Sequence, residues 1–430
     1  MKSLNPPNWQ TKKLGEVLQK TETINPLKEP TRDFVYIDFS SINRENLAIE
    51  NTNTIKGKDA PSRARKLVRT GDIIFATIRP TLRRIAIIPN EFNEEVCSTG
   101  YFVLRPKQEL ENKLIFYFLQ TDDFTVKMEK LQKGASYPAV TDNEVRSQLI
   151  SFPESLPEQQ RIVAILDEAF ATIAKAKENA EKNLKNAREV FESYFLSVLN
   201  DKKWEWKTPG DVCDRVEYGS STKSNTVGAV PVLRMGNIQN GRFAWDDLVY
   251  SDNTEDNKQY LLKYNDVLFN RTNSPELVGK TAIYKGEMPA IFAGYLIRLH
   301  RKESLLDADY LNYYLNSPVA KEYGKTVVIS SVNQANINGT KLKTYPIPLP
   351  TLDEQKVIAA KLDTLSVETQ KLDALYQQKL ADLEELKKSL LQKAFAGELT
   401  KGVASRALAT EDVTVTEALE VTDKRRCVHE

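Results

Sequence analysis

The same junction occurs twice in the chain. Residues 157–166 read PEQQRIVAIL and residues 352–362 read LDEQKVIAAKL. Each stretch follows a short extended segment that contains proline, and each begins a pattern of apolar residues at helical spacing. A chain that repeats such an order of elements nearly half its length apart is expected to fold as two similar units.

Other blocks of sequence recur in the same order. WQTKKLGEV resembles WEWKTPGDV, VRTGDIIFATIRP resembles LKYNDVLFNRTNS, and STGYFVLRP resembles FAGYLIRLH. In each copy, short β-type runs separated by turn residues precede a helical stretch such as ENKLIFYFLQT. This mixed order predicts two α/β or α+β globules of about 150 residues each.

A long helix is predicted at the end of each copy, because its apolar residues recur at a mean spacing near the coiled-coil value of about 3.5 residues. They are Ile162, Leu166, Phe170, Ile173, Ala176, Ala180, Leu184, Ala187, Phe191, Phe195 and Val198 in the first helix, and Ile358, Leu362, Leu365, Leu372, Leu375, Leu383, Leu386 and Leu390 in the second. One small domain cannot bury so long a stripe. We therefore expect the two helices to pair with each other in antiparallel fashion, which would give the chain an approximate two-fold axis.

The composition provides few residues for a metal site or for histidine-based catalysis. The chain has two histidines, His300 and His429, and three scattered cysteines, Cys97, Cys213 and Cys427. Neither set suits a metal cage or a His-based triad, and unpaired cysteines fit a reduced cytosolic compartment. No apolar run is long enough to cross a bilayer, and the start of the chain lacks the apolar core of a signal peptide.

Two stretches resemble catalytic motifs but depart from them. NPPN resembles an amino-methyltransferase motif, yet Asn8 stands where an aromatic ring must stack on a flipped adenine. SPELVGKT resembles a phosphate-binding loop, but Ser274 replaces its first glycine and a Pro and a Glu occupy the anion cradle. A turn between two strands is the better interpretation of SPELVGKT. We expect no catalytic centre in this chain.

Positive charge is concentrated in one segment, although the formal net charge is only +1. Nine basic residues lie between Lys56 and Arg84, and only Asp59 and Asp72 oppose them there. Such a cluster is typical of a surface that meets phosphates. The alternative is a solvated basic face without a ligand.

Several loops carry side chains suited to reading DNA. Residues 77–84 and 270–280 follow equivalent strands, residues 133–140 and 328–339 precede the junctions, and residues 218–225 are small and polar. Arginine and asparagine can bond base edges, whereas threonine and lysine can hold phosphates. For each loop the alternative is a solvated connection. The candidate DNA-binding residues are Arg63, Arg65, Lys66, Thr77, Arg79, Arg83, Arg84, Ser136, Tyr137, Lys223, Asn270, Arg271, Thr272, Asn273, Lys280, Ser331, Asn333 and Gln334.

A family resemblance rests on several of these stretches together. PSRARKLVRTGDIIFATIRPTLRRIAIIP, the paired Glu-Gln junctions and LKKSLLQKAFAGEL resemble the specificity (S) subunit of a type I restriction-modification system. The resemblance extends to about Leu399. It implies a mixed α/β fold with two target-recognition domains in a pseudo-two-fold arrangement, joined by two long helices that form an antiparallel coiled coil. It also implies a non-catalytic subunit that reads a bipartite DNA target with two unlike half-sites.

The resemblance also implies partners. They are double-stranded DNA, two methylation (M) subunits that transfer methyl from S-adenosylmethionine to adenine N6, and restriction (R) subunits that translocate and cleave DNA with ATP. S-adenosylmethionine, ATP and magnesium are expected on those partners, and this chain is expected to hold no cofactor or metal. A cytoplasmic location without membrane contact is expected.

The predicted division of the chain follows the repeat. It consists of target-recognition domain 1 (1–153), a central helical region (154–201), target-recognition domain 2 (202–350), a C-terminal helical region (351–399) and a tail (400–430), which we expect to be mobile or loosely docked. We expect Ser155 or Pro157 to begin the first helix and Thr351 with Glu354 to form a capping box on the second. The residues assigned to the junctions and coiled coil are Glu158, Gln159, Ile162, Leu166, Glu354, Gln355, Ile358 and Leu362.

Two other functions remain open at this point. A coiled-coil structural adaptor without DNA specificity would explain the helices but not the basic segment from Lys56 to Arg84. A stand-alone DNA methyltransferase would require the cofactor motif that the chain lacks. Sequence-specific DNA binding that depends on an M subunit would separate the specificity subunit from both.

Overall fold

The computed structural model describes residues 6–199, 204–331 and 334–400. The chain forms two compact units, one made of Met1–Asn179 and Lys379–Glu430, the other of Ala180–Gln378. We call them unit 1 and unit 2. Most of the predicted tail, residues 401–430, lies outside the described residues.

Unit 1 contains nine of the described strands and the beginning of a long helix. The strands are β1 (Trp9–Lys13), β2 (Asp33–Ile37), β3 (Asn53–Lys56), β4 (Ala64–Val68), β5 (Ile73–Ala76), β6 (Ile85–Ile87), β7 (Glu95–Ser98), β8 (Tyr101–Leu104) and β9 (Leu149–Pro153). The helices are α1 (Leu14–Val17), α2 (Asn112–Phe118), α3 (Asp122–Leu131), α4 (Asp142–Arg146) and α5 (Leu156–Leu199), which continues into unit 2.

Two sheets and one strand pair organise unit 1. They have the strand orders β3-β2-β7-β4, β6-β5-β8 and β1-β9. Strand β5 is buried on both faces, since Ile73 and Phe75 join the core formed with α2 and α3, whereas Ile74 and Ala76 join a second core with β2 and β7. A strand covered on both faces reads as a continuous apolar run, which explains the sequence IIFA.

Unit 2 contains the remaining described strands and helices. The strands are β10 (Glu205–Lys207), β11 (Cys213–Tyr218), β12 (Val230–Leu233), β13 (Ile238–Gln239), β14 (Arg242–Phe243), β15 (Val249–Ser251), β16 (Val267–Asn270), β17 (Thr272–Asn273), β18 (Thr281–Ile283), β19 (Ile291–Phe292), β20 (Leu296–Arg301), β21 (Ile329–Ser331), β22 (Gln334–Asn336) and β23 (Ile347–Leu349). The helices are α6 (Pro209–Val212), α7 (Thr254–Gln259), α8 (Ala308–Asn316), α9 (Pro318–Val327), α10 (Gly339–Leu342) and α11 (Leu352–Phe395), which continues into unit 1.

The same strand pairings recur in the two units. Strand β5 lies between β6 and β8 as β16 lies between β18 and β20, and the parallel pair β2–β7 corresponds to the parallel pair β12–β19. In each unit the first strand pairs antiparallel with the last strand before the long helix, β1 with β9 and β10 with β23. The prediction of two similar α/β domains and two long helices is confirmed.

Each long helix begins at its junction, α5 at Leu156, between the predicted Ser155 and Pro157, and α11 at Leu352, directly after Thr351. The capping box on α11 is confirmed: the Thr351 hydroxyl accepts a hydrogen bond from the Glu354 amide at 3.4 Å, and the Glu354 carboxylate accepts one from the Thr351 amide at 2.9 Å. Helix α5 begins at Leu156, with the Ser155 carbonyl accepting from the Gln159 amide at 3.2 Å.

The glutamine of the first junction forms hydrogen bonds that connect separate segments of unit 1. Gln159 is fully buried. Its amide group donates hydrogen bonds to the carbonyls of Pro153 and Glu109, each at 2.9 Å, and its side-chain oxygen accepts one from the Glu111 amide at 2.8 Å. One side chain thus joins the start of α5 to the end of β9 and to the loop before α2.

The glutamine of the second junction makes the same contacts in unit 2. Gln355 is fully buried, and its amide group donates to the carbonyls of Pro350 and Leu305, each at 2.9 Å. Its side-chain oxygen accepts from the Asp307 amide at 2.8 Å. The sequence pattern marks these residues only as helix starts, whereas the structure shows their hydrogen-bonding role.

A tyrosine adds a second repeated contact to each long helix. The Tyr117 hydroxyl on α2 donates to the Asp167 carboxylate on α5 at 2.5 Å, and the Tyr313 hydroxyl on α8 donates to the Asp363 carboxylate on α11 at 2.6 Å. Burial, together with the neighbouring carboxylate, raises the pKa of both tyrosines, so both hydroxyls stay protonated as donors.

The two long helices pair antiparallel within each unit. In unit 1, Lys387 of α11 lies over the ring of Phe170, and the side chains of Lys177 and Glu384 approach to 3.6 Å. In unit 2, Ile358 and Leu362 of α11 share a core with Phe195 and Leu199 of α5, and Arg188 pairs with Asp373. Residue numbers rise along one helix as they fall along the other, which confirms the predicted direction.

The prediction of the seam is wrong in part for α11. Leu372, Leu375 and Leu386 are 40%, 45% and 45% exposed and do not lie in the buried stripe. Polar residues occupy the seam instead: in unit 2, the Thr369 hydroxyl donates to the Ala187 carbonyl at 3.4 Å. The leucine spacing indicated a helix correctly but did not determine which of its faces packs against α5.

We predict that Gln159→Ala destabilises the full chain by about 1–3 kcal/mol, because it leaves buried amide and carbonyl groups without their partner. The thermal midpoint of unfolding is expected to fall on the order of 5 °C. Gln160→Ala is the matched control, since Gln160 is exposed at the next position. Equal midpoints for the two variants would contradict the connecting role.

Candidate nucleic-acid interface

Two of the predicted loops lie side by side in unit 1. Residues 77–84 leave the end of β5 and run along residues 133–140. The Arg79 amide donates to the Pro138 carbonyl at 2.7 Å, and the Val140 amide donates to the Thr77 carbonyl at 2.9 Å. These backbone bonds fix the loop that carries Arg79 to the segment that carries Tyr137.

Arg79 and Tyr137 form an exposed pair on this surface. The Arg79 guanidinium lies 5.2 Å from the centre of the Tyr137 ring and donates to the Ser136 carbonyl at 3.3 Å. Tyr137 is 72% exposed, and Arg79 has a left-handed backbone with φ of 49°. A cation held against an exposed aromatic ring can bond a base edge or stack on a base.

Three predicted segments converge in unit 2. Arg271 follows β16, and its carbonyl accepts from the Ile337 amide at 2.8 Å. Its guanidinium lies 5.0 Å from the ring centre of Tyr218, and the Tyr218 hydroxyl accepts from the Gly339 amide at 2.7 Å. Tyr218 is not among the candidate residues predicted from the sequence, although it begins the predicted segment 218–225.

The two units place arginine at different positions of the same framework. Strands β5 and β16 correspond, so Thr77 and Arg271 are the equivalent residues that follow them. Both carbonyls accept from the returning segment, through Val140 in unit 1 and Ile337 in unit 2. The backbone arrangement is therefore shared, while the side chains offered to a ligand differ.

Three candidate residues are buried, which contradicts direct contact with DNA in this conformation. Thr77 donates its hydroxyl to the Gly100 carbonyl at 3.0 Å, and Asn270 is fully buried at the end of β16. Thr272 accepts from the Asn336 side chain at 2.7 Å. These polar groups stabilise the loops, because a buried hydroxyl or amide requires an internal hydrogen-bond partner.

Other candidates in unit 1 bond to groups of the protein itself. The Arg84 guanidinium donates to the Phe39 and Ile42 carbonyls at 2.6 and 3.0 Å, which indicates a structural role. Lys66 pairs with Asp142 at 2.8 Å, and Arg83 pairs with Asp122 at 2.5 Å.

The remaining candidates differ in exposure. Arg63, Ser136, Lys223 and Gln334 are exposed, whereas Arg65, Asn273 and Lys280 are half-buried. Ser331 lies at the end of β21, and Asn333 falls outside the described residues.

The basic segment is less positive in the structure than in the sequence. Acidic residues from distant parts of unit 1 pair with it: Glu22 with Arg69, Asp122 with Arg83 and Asp142 with Lys66. These acids lie outside the segment in sequence, so they do not enter its sequence-based charge count. The positive charge that can meet DNA is therefore confined to fewer side chains, with Arg63 and Arg79 in exposed loops.

The metal-ligating and thiol side chains of the described residues were compared with two kinds of reactive site. No group of three or more His, Cys, Asp and Glu among them could hold a metal ion. Burial raises the pKa of the Cys97 and Cys213 thiols to about 12, so neither is a thiolate near neutral pH. Residues 274–280 connect β17 to β18, as the turn interpretation of SPELVGKT predicted.

Comparison with protein families assigns the chain to a family. The model of the "Type I restriction modification DNA specificity domain" matches residues 6–185 and again residues 201–385. The chain belongs to this family. It is a DNA specificity subunit with two DNA specificity domains, and the sequence-based resemblance is confirmed.

The similar proteins match different shares of the chain. The EcoKI type I restriction enzyme specificity subunit of Escherichia coli K12 is 24% identical over 411 residues, 90% of this chain and 86% of the relative. A Methanocaldococcus jannaschii relative named as the MjaX specificity subunit is 32% identical over 205 residues, so this chain spans 46% of its length. A solved chain from a study of complex assembly and conformational transition of the type I restriction-modification system is 30% identical, with a TM-score of 0.79, and covers 92% of this chain and 99% of that chain.

Among the described residues, no helix combines the length and the apolar character that a membrane crossing requires.

Proposed function

We propose that this chain reads a bipartite DNA target, with each unit contacting one half-site. The observation that carries the proposal is the shared loop framework, on which the two units present an arginine from non-equivalent positions, Arg79 and Arg271. Because the side chains at equivalent positions differ, the two half-sites are expected to differ. In this proposal residues 1–153 form the first target-recognition domain and residues 202–350 form the second.

We propose that methylation and restriction subunits assemble on the long helices. Exposed leucines support this part of the proposal, since Leu372 and Leu375 of α11 in unit 2 leave large apolar side chains on a helix surface. Such surfaces are typical of protein–protein contact sites. In this arrangement the methylation subunits supply S-adenosylmethionine and transfer methyl to adenine N6, the restriction subunits use ATP and magnesium, and the complex works in the cytoplasm.

The function is tested by selecting DNA from a random pool with the chain alone and with its methylation subunit. We expect weak, sequence-independent binding by the chain alone and binding tighter by about 10³-fold to a defined motif once the methylation subunit is added. A probe with one half-site scrambled is the control. Sequence-independent binding by the complex would contradict the proposal, and so would methyl transfer by the isolated chain.

We predict that Arg79→Ala and Arg271→Ala each relax one half-site. If each arginine reads a base, specific binding by the complex should weaken by about 1–3 kcal/mol, and the lost preference should map to opposite halves of the target. Arg63→Ala is the control, because an exposed arginine that meets only phosphate should weaken binding to all sequences alike. Unchanged preferences in both halves would rule out base reading by these two residues.

A further inference from the structure

Among the described residues, an ion pair connects the long helices in unit 1 and another connects them in unit 2. In unit 1, Lys177 of α5 approaches Glu384 of α11 to 3.6 Å. In unit 2, Arg188 of α5 pairs with Asp373 of α11 at 2.5 Å. In both pairs α5 supplies the base and α11 supplies the acid.

The two ion pairs use the same two positions of the repeat. Lys177 and Asp373 are 196 positions apart, which is the spacing of the buried glutamines Gln159 and Gln355. Arg188 and Glu384 are also 196 positions apart. Each pair therefore joins one repeat position to the other, and the sign of the charge at both positions is reversed between the two copies.

This reversal distinguishes unlike from like helices. If α5 paired antiparallel with a second α5 in the same register, Lys177 would face Arg188 of the other copy. If α11 paired with a second α11, Asp373 would face Glu384. Opposed like charges between helices disfavour a pairing, and opposite charges favour it, which is how charged flanking residues select coiled-coil partners.

Residues in the seam show the same asymmetry. Phe170 and Phe191 of α5 correspond in the repeat to Ser366 and Lys387 of α11. In unit 1 the Lys387 ammonium lies 5.1 Å from the centre of the Phe170 ring. Two α5 helices in this register would set phenylalanine against phenylalanine, and two α11 helices would set serine against lysine, so both would lose the cation–ring contact.

We propose that the crossed charges at Lys177, Arg188, Asp373 and Glu384 select the pairing of α5 with α11 and disfavour pairing of either helix with its own copy in a second chain. The two long helices occupy equivalent positions of the repeat. Without a selecting feature, each could therefore pair with its own copy in a second chain. The charges also fix the register, since both ion pairs form at one alignment of the helices.

The test inverts the charge preference in the full chain without changing net charge. In K177E/D373K, both ion-pair positions between α5 and α11 place like charges opposite each other. Two paired copies of α5, or of α11, would instead have opposite charges at these positions. The matched control is K177E/E384K, which exchanges the charges within one ion pair and keeps the attraction between unlike helices. The mass of each variant is measured by size-exclusion chromatography with light scattering at low and high salt.

We expect the dimer-to-monomer ratio of K177E/D373K at low salt to rise by about tenfold over that of the control, the scale that a few exposed ion pairs allow. High salt should remove the difference by screening exposed charges. Equal masses for the two variants would overturn the proposal. R188D/E384R, with R188D/D373R as its control, repeats the inversion at the other positions, so the test stands if one variant fails to fold.

Discussion

The buried glutamine at the start of each long helix is the contact on which the geometry of each unit depends. Gln159 bonds the end of β9 and the loop before α2, and Gln355 bonds the residue that follows β23 and the loop before α8. A buried amide that satisfies one N–H group and two carbonyls tolerates little displacement, because any shift leaves polar groups unpaired. The direction of each long helix is thereby fixed relative to its domain.

In each unit, the buried strands support the fold and the loops that follow them carry the candidate DNA-contacting side chains. The β5 and β16 strands are buried on both faces, and the loops that follow them carry Arg79, which is exposed, and Arg271, which is half-buried. Backbone bonds hold these loops, so Arg79 and Arg271 can change the ligand surface without changing the framework. A rigid support with variable loops is a common way for proteins to carry specificity.

The sequence predicted the repeat, the junctions, the domain class and the direction of the helices, because each depends on patterns that recur along the chain. It failed where a choice depended on three-dimensional neighbours. Leu372 and Leu375 matched a coiled-coil spacing, yet the seam accepts Thr369 and Asp373, whose polar groups find partners on α5. Spacing alone cannot show that a polar residue will be paired.

The predicted DNA-binding loops show the same limit of prediction from sequence. Asn270 has the chemistry of a base reader, but the structure places it in the interior, and Arg84 bonds carbonyls of its own unit. Residue type predicts what a side chain can bond, whereas burial decides whether DNA can reach it. The pairing of Arg271 with Tyr218 could have been sought from the segment at 218–225, but no spacing rule links the two residues.

The central claim is that two unlike domains on one framework each read half of a DNA target. Mapping N6-methyladenine at base resolution, in DNA treated with the methylation complex assembled on this chain, tests it most directly. The account predicts one motif made of two different specified blocks separated by a constant number of unspecified base pairs. A single continuous motif, two identical inverted blocks, or methylation without a motif would contradict it.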